Sequence, residues 1–160
     1  MAEQKLTEEQ QKEIAEIFLW RARFLFGRIL KDLVEYSDMN RSKLGERAVE
    51  YDNILQERKL RYPGSLDGFP GRTGISRLIN AKRPPAYGQV FVILRVLEHY
   101  FDEIGEDFNE ELQNDLWHLA LFGSPREVYD AYKKHEKLID ENSPEYIKAL
   151  EAHKKKMGED

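Results

Sequence analysis

Apolar residues recur at helical spacing in successive segments of this chain, separated by proline, glycine and capping residues, and the pattern predicts an all-α protein. Thr7-Glu8-Glu9-Gln10 reads as a capping box, and no proline or turn cluster interrupts the residues from there to about Tyr36. Ile14, Ile17, Phe18, Leu25, Ile29 and Leu33 form the stripe of this long first helix. Leu19, Trp20, Phe24 and Phe26 widen it beyond one face, so the helix packs inside a core or, alternatively, pairs with a second subunit. Gly27 marks either a break or a close contact within it. Asp38-Met39-Asn40 then supplies a turn, with Asn40 as N-cap of a second helix that can continue through Tyr51, Ile54 and Leu55 to Leu60. Tyr62 to Gly71 is a loop, since five of those ten residues are glycine or proline.

A third helix is short. Thr73 is the expected cap, and Pro84-Pro85 forbid continuation because the residue before each proline is pushed out of the α region. Roughly two turns of helix do not stand alone in water. Ile75, Leu78 and Ile79 supply the buried stripe that holds it, while Arg72, Thr73, Ser76, Arg77 and Asn80 fall on the other side. Tyr87 to Phe101 is apolar nearly all round and is expected to be the central core helix. Phe108 to Phe122 follows, with Gly123 as its expected C′ residue. Ser124-Pro125-Arg126-Glu127 and Ser143-Pro144-Glu145 each start a further helix, and the lysine-rich tail from Ala149 is expected to fray.

Composition narrows the classes. At 41% hydrophobic and 11% aromatic residues the chain is expected to fold, as one domain or a small domain with a tail. It has no cysteine, which removes disulfides, thiolate metal sites and a cysteine nucleophile. No 18-residue apolar run and no signal peptide is found, so a cytoplasmic location without membrane contact is expected. The four histidines lack metal-ligand spacing, no nucleotide-binding glycine pattern occurs, and the carboxylates lie on amphipathic faces. No enzyme activity, cofactor or metal is therefore expected.

The formal charge of −5 hides a strong asymmetry. Arg58 to Arg83 holds seven cations against the single carboxylate of Asp67, a net of +6 that leaves −11 for the rest. Such polarisation lets one surface attract phosphate while the remainder repels non-specific polyanion contact. The plainer reading of the basic run is a solvated loop.

Leu44-Gly45, then Ile75-Ser76-Arg77-Leu78-Ile79-Asn80-Ala81-Lys82-Arg83-Pro84-Pro85, then the apolar run from Val90 to Phe101, resemble the lambda-repressor-like (XRE-type) helix-turn-helix family over roughly residues 24–104. Ile79 and Ala81 stand where that family has Glu and Gly, and Leu44 and Ile75 are 31 positions apart, which implies an insertion at about 49–70. The resemblance implies a DNA-binding domain over 1–104, with the first half of its first helix extra to the family pattern, followed by a helical extension over 105–160 for oligomerisation or partner binding. It implies sequence-specific binding of double-stranded DNA by a homodimeric transcriptional regulator, prokaryotic or phage, associated with the nucleoid. Carried onto matching positions, Arg72, Thr73 and Arg77, with Ser76 beside them, would contact base edges. Asn40, Arg41, Asn80, Lys82 and Arg83 would contact phosphate, and Arg58, Lys59 and Arg61 of the insertion are expected to join them. The rival expectation is a protein-interaction module, an antitoxin or adaptor on the same fold, whose basic loop docks an acidic partner. Binding of structured RNA through that loop is a weaker third.

Overall fold

In the computed structural model, which describes residues 7–58, 71–82 and 84–158, every regular element is helical. Among these residues there are seven α-helices and one short 3-10 turn, Glu136–Leu138. No helix among them is long and apolar enough to cross a membrane.

The first helix, α1 (Glu8–Tyr36), is buried on two faces at once. Ala22, Leu25, Phe26, Ile29, Leu30 and Val34 enter the main core, whereas Trp20 and Phe24 point to a second cluster with Ala81 and Tyr146. From Trp20 onward the wide apolar face is thus core within one chain. The Ile14–Ile17 part of the expected stripe, like the Thr7–Gln10 capping box, involves side chains outside those described. The helix ends at a corner shaped by Ser37, whose buried hydroxyl donates to the Val34 carbonyl at 2.9 Å and accepts from the Met39 N–H at 3.3 Å.

Helix α2 (Arg41–Glu57) begins as expected, with Asn40 Oδ1 accepting the Lys43 N–H at 2.8 Å. It runs on past Ala48 and stops at Glu57, short of the expected Leu60. The expected loop from Tyr62 to Pro70 lies outside the described residues.

Helix α3 (Arg72–Ile79) is two turns, and its cap differs from the expectation. Gly71, at φ 60°, is the N-cap and offers no side-chain bond, so Thr73 sits exposed inside the first turn. The left-handed φ leaves glycine the residue that starts the helix without strain. Two other glycines lock the helix in place. A Cβ on Gly45 would stand 2.5 Å from the Gly71 carbonyl carbon, and one on Gly27 would stand 2.3 Å from the Ile79 carbonyl oxygen. Helix α3 is therefore held at backbone contact by α2 on one side and α1 on the other. It closes in a Schellman turn, with the Lys82 N–H donating to the Arg77 carbonyl and the Ala81 N–H to the Leu78 carbonyl. Ala81 takes the left-handed position of that turn at φ 57°.

Helix α4 (Tyr87–Glu103) buries Val90, Val92, Ile93, Leu94, Val96, Leu97 and Phe101 against α2 and shares the centre of the core with α1. Helix α5 (Glu110–Leu119) starts later than the expected Phe108, because the Asn109 side chain accepts the Leu112 N–H and sets the first turn. It also ends earlier: Leu121, at φ 71°, holds the left-handed position expected of Gly123. Helix α6 (Pro125–His135) forms the expected capping box, with Ser124 and Glu127 bonding each other's backbone N–H groups. Leu116, Leu119, Val128 and Tyr132 of these two helices join the main core beside α1, so chain on both sides of Ile104 builds one cluster.

Helix α7 (Pro144–Gly158) contradicts the expectation of a frayed tail. Ser143 Oγ accepts the Tyr146 N–H at 3.2 Å, and Tyr146 packs on Trp20 and Phe24 with ring centroids 5.6 and 5.3 Å apart. His153 stacks on Trp20 at 5.4 Å. Arg21 pairs with Glu141 at 2.6 Å, and both Arg28 and Lys31 pair with Glu145, which pins the start of α7 along α1. Aromatic area, together with these pairs, holds a helix whose own composition predicts fraying.

Candidate nucleic-acid interface

The polar residues of α3 share one arc because of helical geometry. At about 100° per residue, Arg72, Ser76, Asn80, Thr73 and Arg77 fall within about 140° of the helix circumference. The opposite arc carries Gly74, Ile75, Leu78 and Ile79, all buried. Arg72, Thr73 and Asn80 are exposed, while Ser76 and Arg77 are half-buried.

Ser76 is already engaged. Its hydroxyl accepts from Arg41 Nη1 at 3.2 Å, which ties the first turn of α2 to the middle of α3. A hydroxyl can still donate while accepting. Asn40 is exposed, and its Oδ1 is committed to the cap, leaving the NH₂ side as the outward donor.

Two adjoining clefts, each about 310 Å³, lie along the seam of α3 with α1 and α7. Arg77, Asn80 and Lys82 line the first together with Arg23 of α1 and His153 and Lys156 of α7. Arg41, Asn80 and Lys82 line the second, with Arg28 and Lys31 of α1 and Lys148 of α7. The structure thus brings Arg41, Arg77, Asn80 and Lys82 together. It leaves Arg58 exposed in the turn after α2, lining neither cleft. Lys59, Arg61 and Arg83 lie outside the described residues.

Charge in the two clefts is one-sided. Among the described residues, no carboxylate lines the first, and the second has only Glu145, which is already paired with Arg28 and Lys31. Arg23 Nε is buried and has no hydrogen-bond partner among the described residues, and burial pushes its guanidinium below the usual arginine range. A half-buried cation without a counter-charge is costly until an anion arrives.

Reasoning from apolar periodicity missed Arg23, Arg28, Lys31, Lys148 and Lys156. A signal was there on α1: Arg23, Gly27 and Lys31 repeat every four residues on one face, with Arg28 beside them. Nothing comparable tied Lys148 and Lys156 to α3, because that link exists only once α7 has docked.

No metal-binding group of three or more ligands occurs among the described residues. The histidines are scattered: His118 meets Glu127 at 3.1 Å, His135 meets Asp115 at 2.8 Å, and His99 is exposed near Tyr51. Converging cations and amides of this kind bind phosphate and read base edges. Comparison of the chain with family models, curated proteins and solved structures finds no match.

Proposed function

We propose that the protein binds double-stranded DNA sequence-specifically, as a homodimeric transcriptional regulator, with α3 entering the major groove. One observation carries the reading. A two-turn helix, held at backbone contact through Gly27 and Gly45, turns an arc of Arg72, Thr73, Ser76, Arg77 and Asn80 outward beside the N-terminus of α2. A rigid short helix with guanidinium and small hydroxyl groups suits base-edge recognition, since groove contacts need donors held in register. Arg72, Thr73 and Arg77 would read bases, with Ser76 positioned by Arg41. Asn40, Arg41, Asn80 and Lys82 would hold phosphates, joined by Arg83, Arg58, Lys59 and Arg61 where the backbone passes the insertion.

The test is selection from a random duplex library at several salt concentrations. An enriched palindrome, with affinity falling steeply in salt, is the expected result. Weak binding without a motif sinks the reading.

A protein-interaction role is the second reading, favoured by the position of α7. Its Ala149, Ala152 and Lys156 face Arg77, Asn80 and Lys82 across the first cleft, so α7 stands beside the C-terminal end of α3 where a duplex would approach. Under this reading the same cationic clefts take an acidic protein segment, and a pull-down with the full chain replaces the DNA selection.

A further inference from the structure

The first cleft has the makings of a site that the DNA reading does not use up. It is closed on three sides by elements far apart in sequence: α1 through Arg23, α3 and its exit through Arg77 and Lys82, and α7 through Lys156. Among the described residues, none of these four cations has a carboxylate partner. The contrast with the neighbouring cleft is informative, because there Glu145 already answers Arg28 and Lys31. Four like charges converging on one cavity repel each other, and no carboxylate among the described residues relieves that repulsion.

We propose that this cleft binds the di- or triphosphate group of a small molecule. Charge matches: a di- or triphosphate carries about three or four negative charges, spread over several acceptor oxygens, against four cationic side chains. Size matches as well, since about 310 Å³ is at the lower end of the roughly 300–1,000 Å³ typical of small-ligand sites. The Asn80 amide adds a neutral donor at the rim. A small ligand fits better than a duplex backbone because Arg23 is recessed, with its Nε fully out of solvent. Phosphates on a rigid rod reach Lys82 and Lys156 at the edge, but a free phosphate chain can descend to Arg23.

The site has a regulatory consequence that rests on the DNA reading. Arg77 and Lys82 belong to both the cleft and the proposed DNA-contacting set. An occupied cleft holds both side chains toward α7 and neutralises their charge. DNA and the small polyphosphate then compete, and by linkage each weakens the other's affinity by the same factor.

The experiment is titration calorimetry of the full chain with inorganic pyrophosphate and with tripolyphosphate at 0.15 M salt, beside duplex DNA binding with and without tripolyphosphate. The variants are Arg23→Gln and Lys156→Gln, with Lys133→Gln as a charge-matched control whose partner is Glu136 on another face. Saturable binding, one ligand per chain, weakened about tenfold or more by Arg23→Gln and by Lys156→Gln and unchanged by Lys133→Gln, is the expected result. Lys156 is exposed, so its variant tests the site even if Arg23→Gln misfolds. No saturable binding, or equal weakening by all three variants, overturns the proposal. So does a loss of DNA affinity in Arg23→Gln and Lys156→Gln with polyphosphate binding unaltered, which assigns the cleft to backbone phosphate. Specific polyphosphate binding in a protein that shows no DNA affinity upholds the site while sinking the DNA reading.

Discussion

The Arg41 guanidinium donates to the Ser76 hydroxyl across 3.2 Å, joining two helices whose contacting residues are 35 positions apart in the chain. The bond ties the first turn of α2 to α3 and orients a cation that lines the second cleft. Ser76→Ala removes the acceptor and leaves the partly buried guanidinium unpaired on that side. The expected loss is about 0.5–1.5 kcal/mol of unfolding free energy, measured by urea denaturation. An unchanged midpoint would show that water substitutes fully for the hydroxyl.

Close backbone approach at Gly27 and Gly45 predicts intolerance of even a methyl group. The neighbours a Cβ would strike are main-chain atoms of Ile79 and Gly71, which cannot swing aside. Gly27→Ala and Gly45→Ala each gain about 1 kcal/mol of helix propensity. Overpacking costs about 1–3 kcal/mol or more and outweighs that gain. Gly158→Ala, with nothing within 4 Å, is the control and should be neutral. Thermal denaturation of the three variants distinguishes the positions, and equal Tm values would refute the close approach.

Tyr146 fastens α7 to α1. Tyr146→Ala removes its edge-on contact with Phe24 and its tilted contact with Trp20, at a cost of about 2–4 kcal/mol. Trp20, only 1% exposed, is a direct reporter. In a Trp117→Phe background its emission should shift to the red as α7 lifts away. A buried-type emission spectrum in that double variant would mean that α7 stays docked without Tyr146.

Stability should fall on the acid side through Glu127. The Ser124 backbone N–H, then the Ser124 hydroxyl and the His118 imidazole, hold its carboxyl below the usual glutamate range. A depressed folded-state value contributes stability above the unfolded value of about 4.3, and that contribution is lost as pH falls through the folded one. Glu127→Gln keeps an N3 acceptor for the capping box but cannot titrate. The expected outcome is a shallower loss of stability below about pH 4.3 in the variant, read from denaturation curves across the acid range. Identical pH slopes in the two proteins would remove Glu127 from the account.

Arg77 and Lys82 separate base reading from backbone attraction. On the selected sequence, Arg77→Ala should cost about 1–3 kcal/mol of binding, with little effect on random duplex. Lys82→Ala should weaken both alike and lower the salt slope by about one. Equal losses from Arg77→Ala on both DNAs would count against its contact with bases.

Local physics made much of this fold legible in the sequence. Asn40, Ser124 and Ser143 cap the helices that their positions predict, because a side-chain oxygen bonding a free N–H two or three residues ahead depends on neighbours in the chain alone. Helical apolar spacing identified the core faces of α3 and α4 for the same reason. Two helix ends depart from the local signals: Gly71 rather than Thr73 starts α3, and Leu121 rather than Gly123 closes α5.

Only the tertiary structure decided which cations meet. Arg23, Arg77 and Lys156 are strangers in the sequence, and they share a cleft because Trp20, Phe24 and Tyr146 bring α7 onto α1 beside Ala81. Ala81 shows both levels at once. Its left-handed φ comes from the Schellman turn that ends α3, while its burial comes from the helix that docks on it. Charge has no periodicity to announce its partners, so a site assembled from three helices becomes visible only when apolar burial has placed those helices side by side.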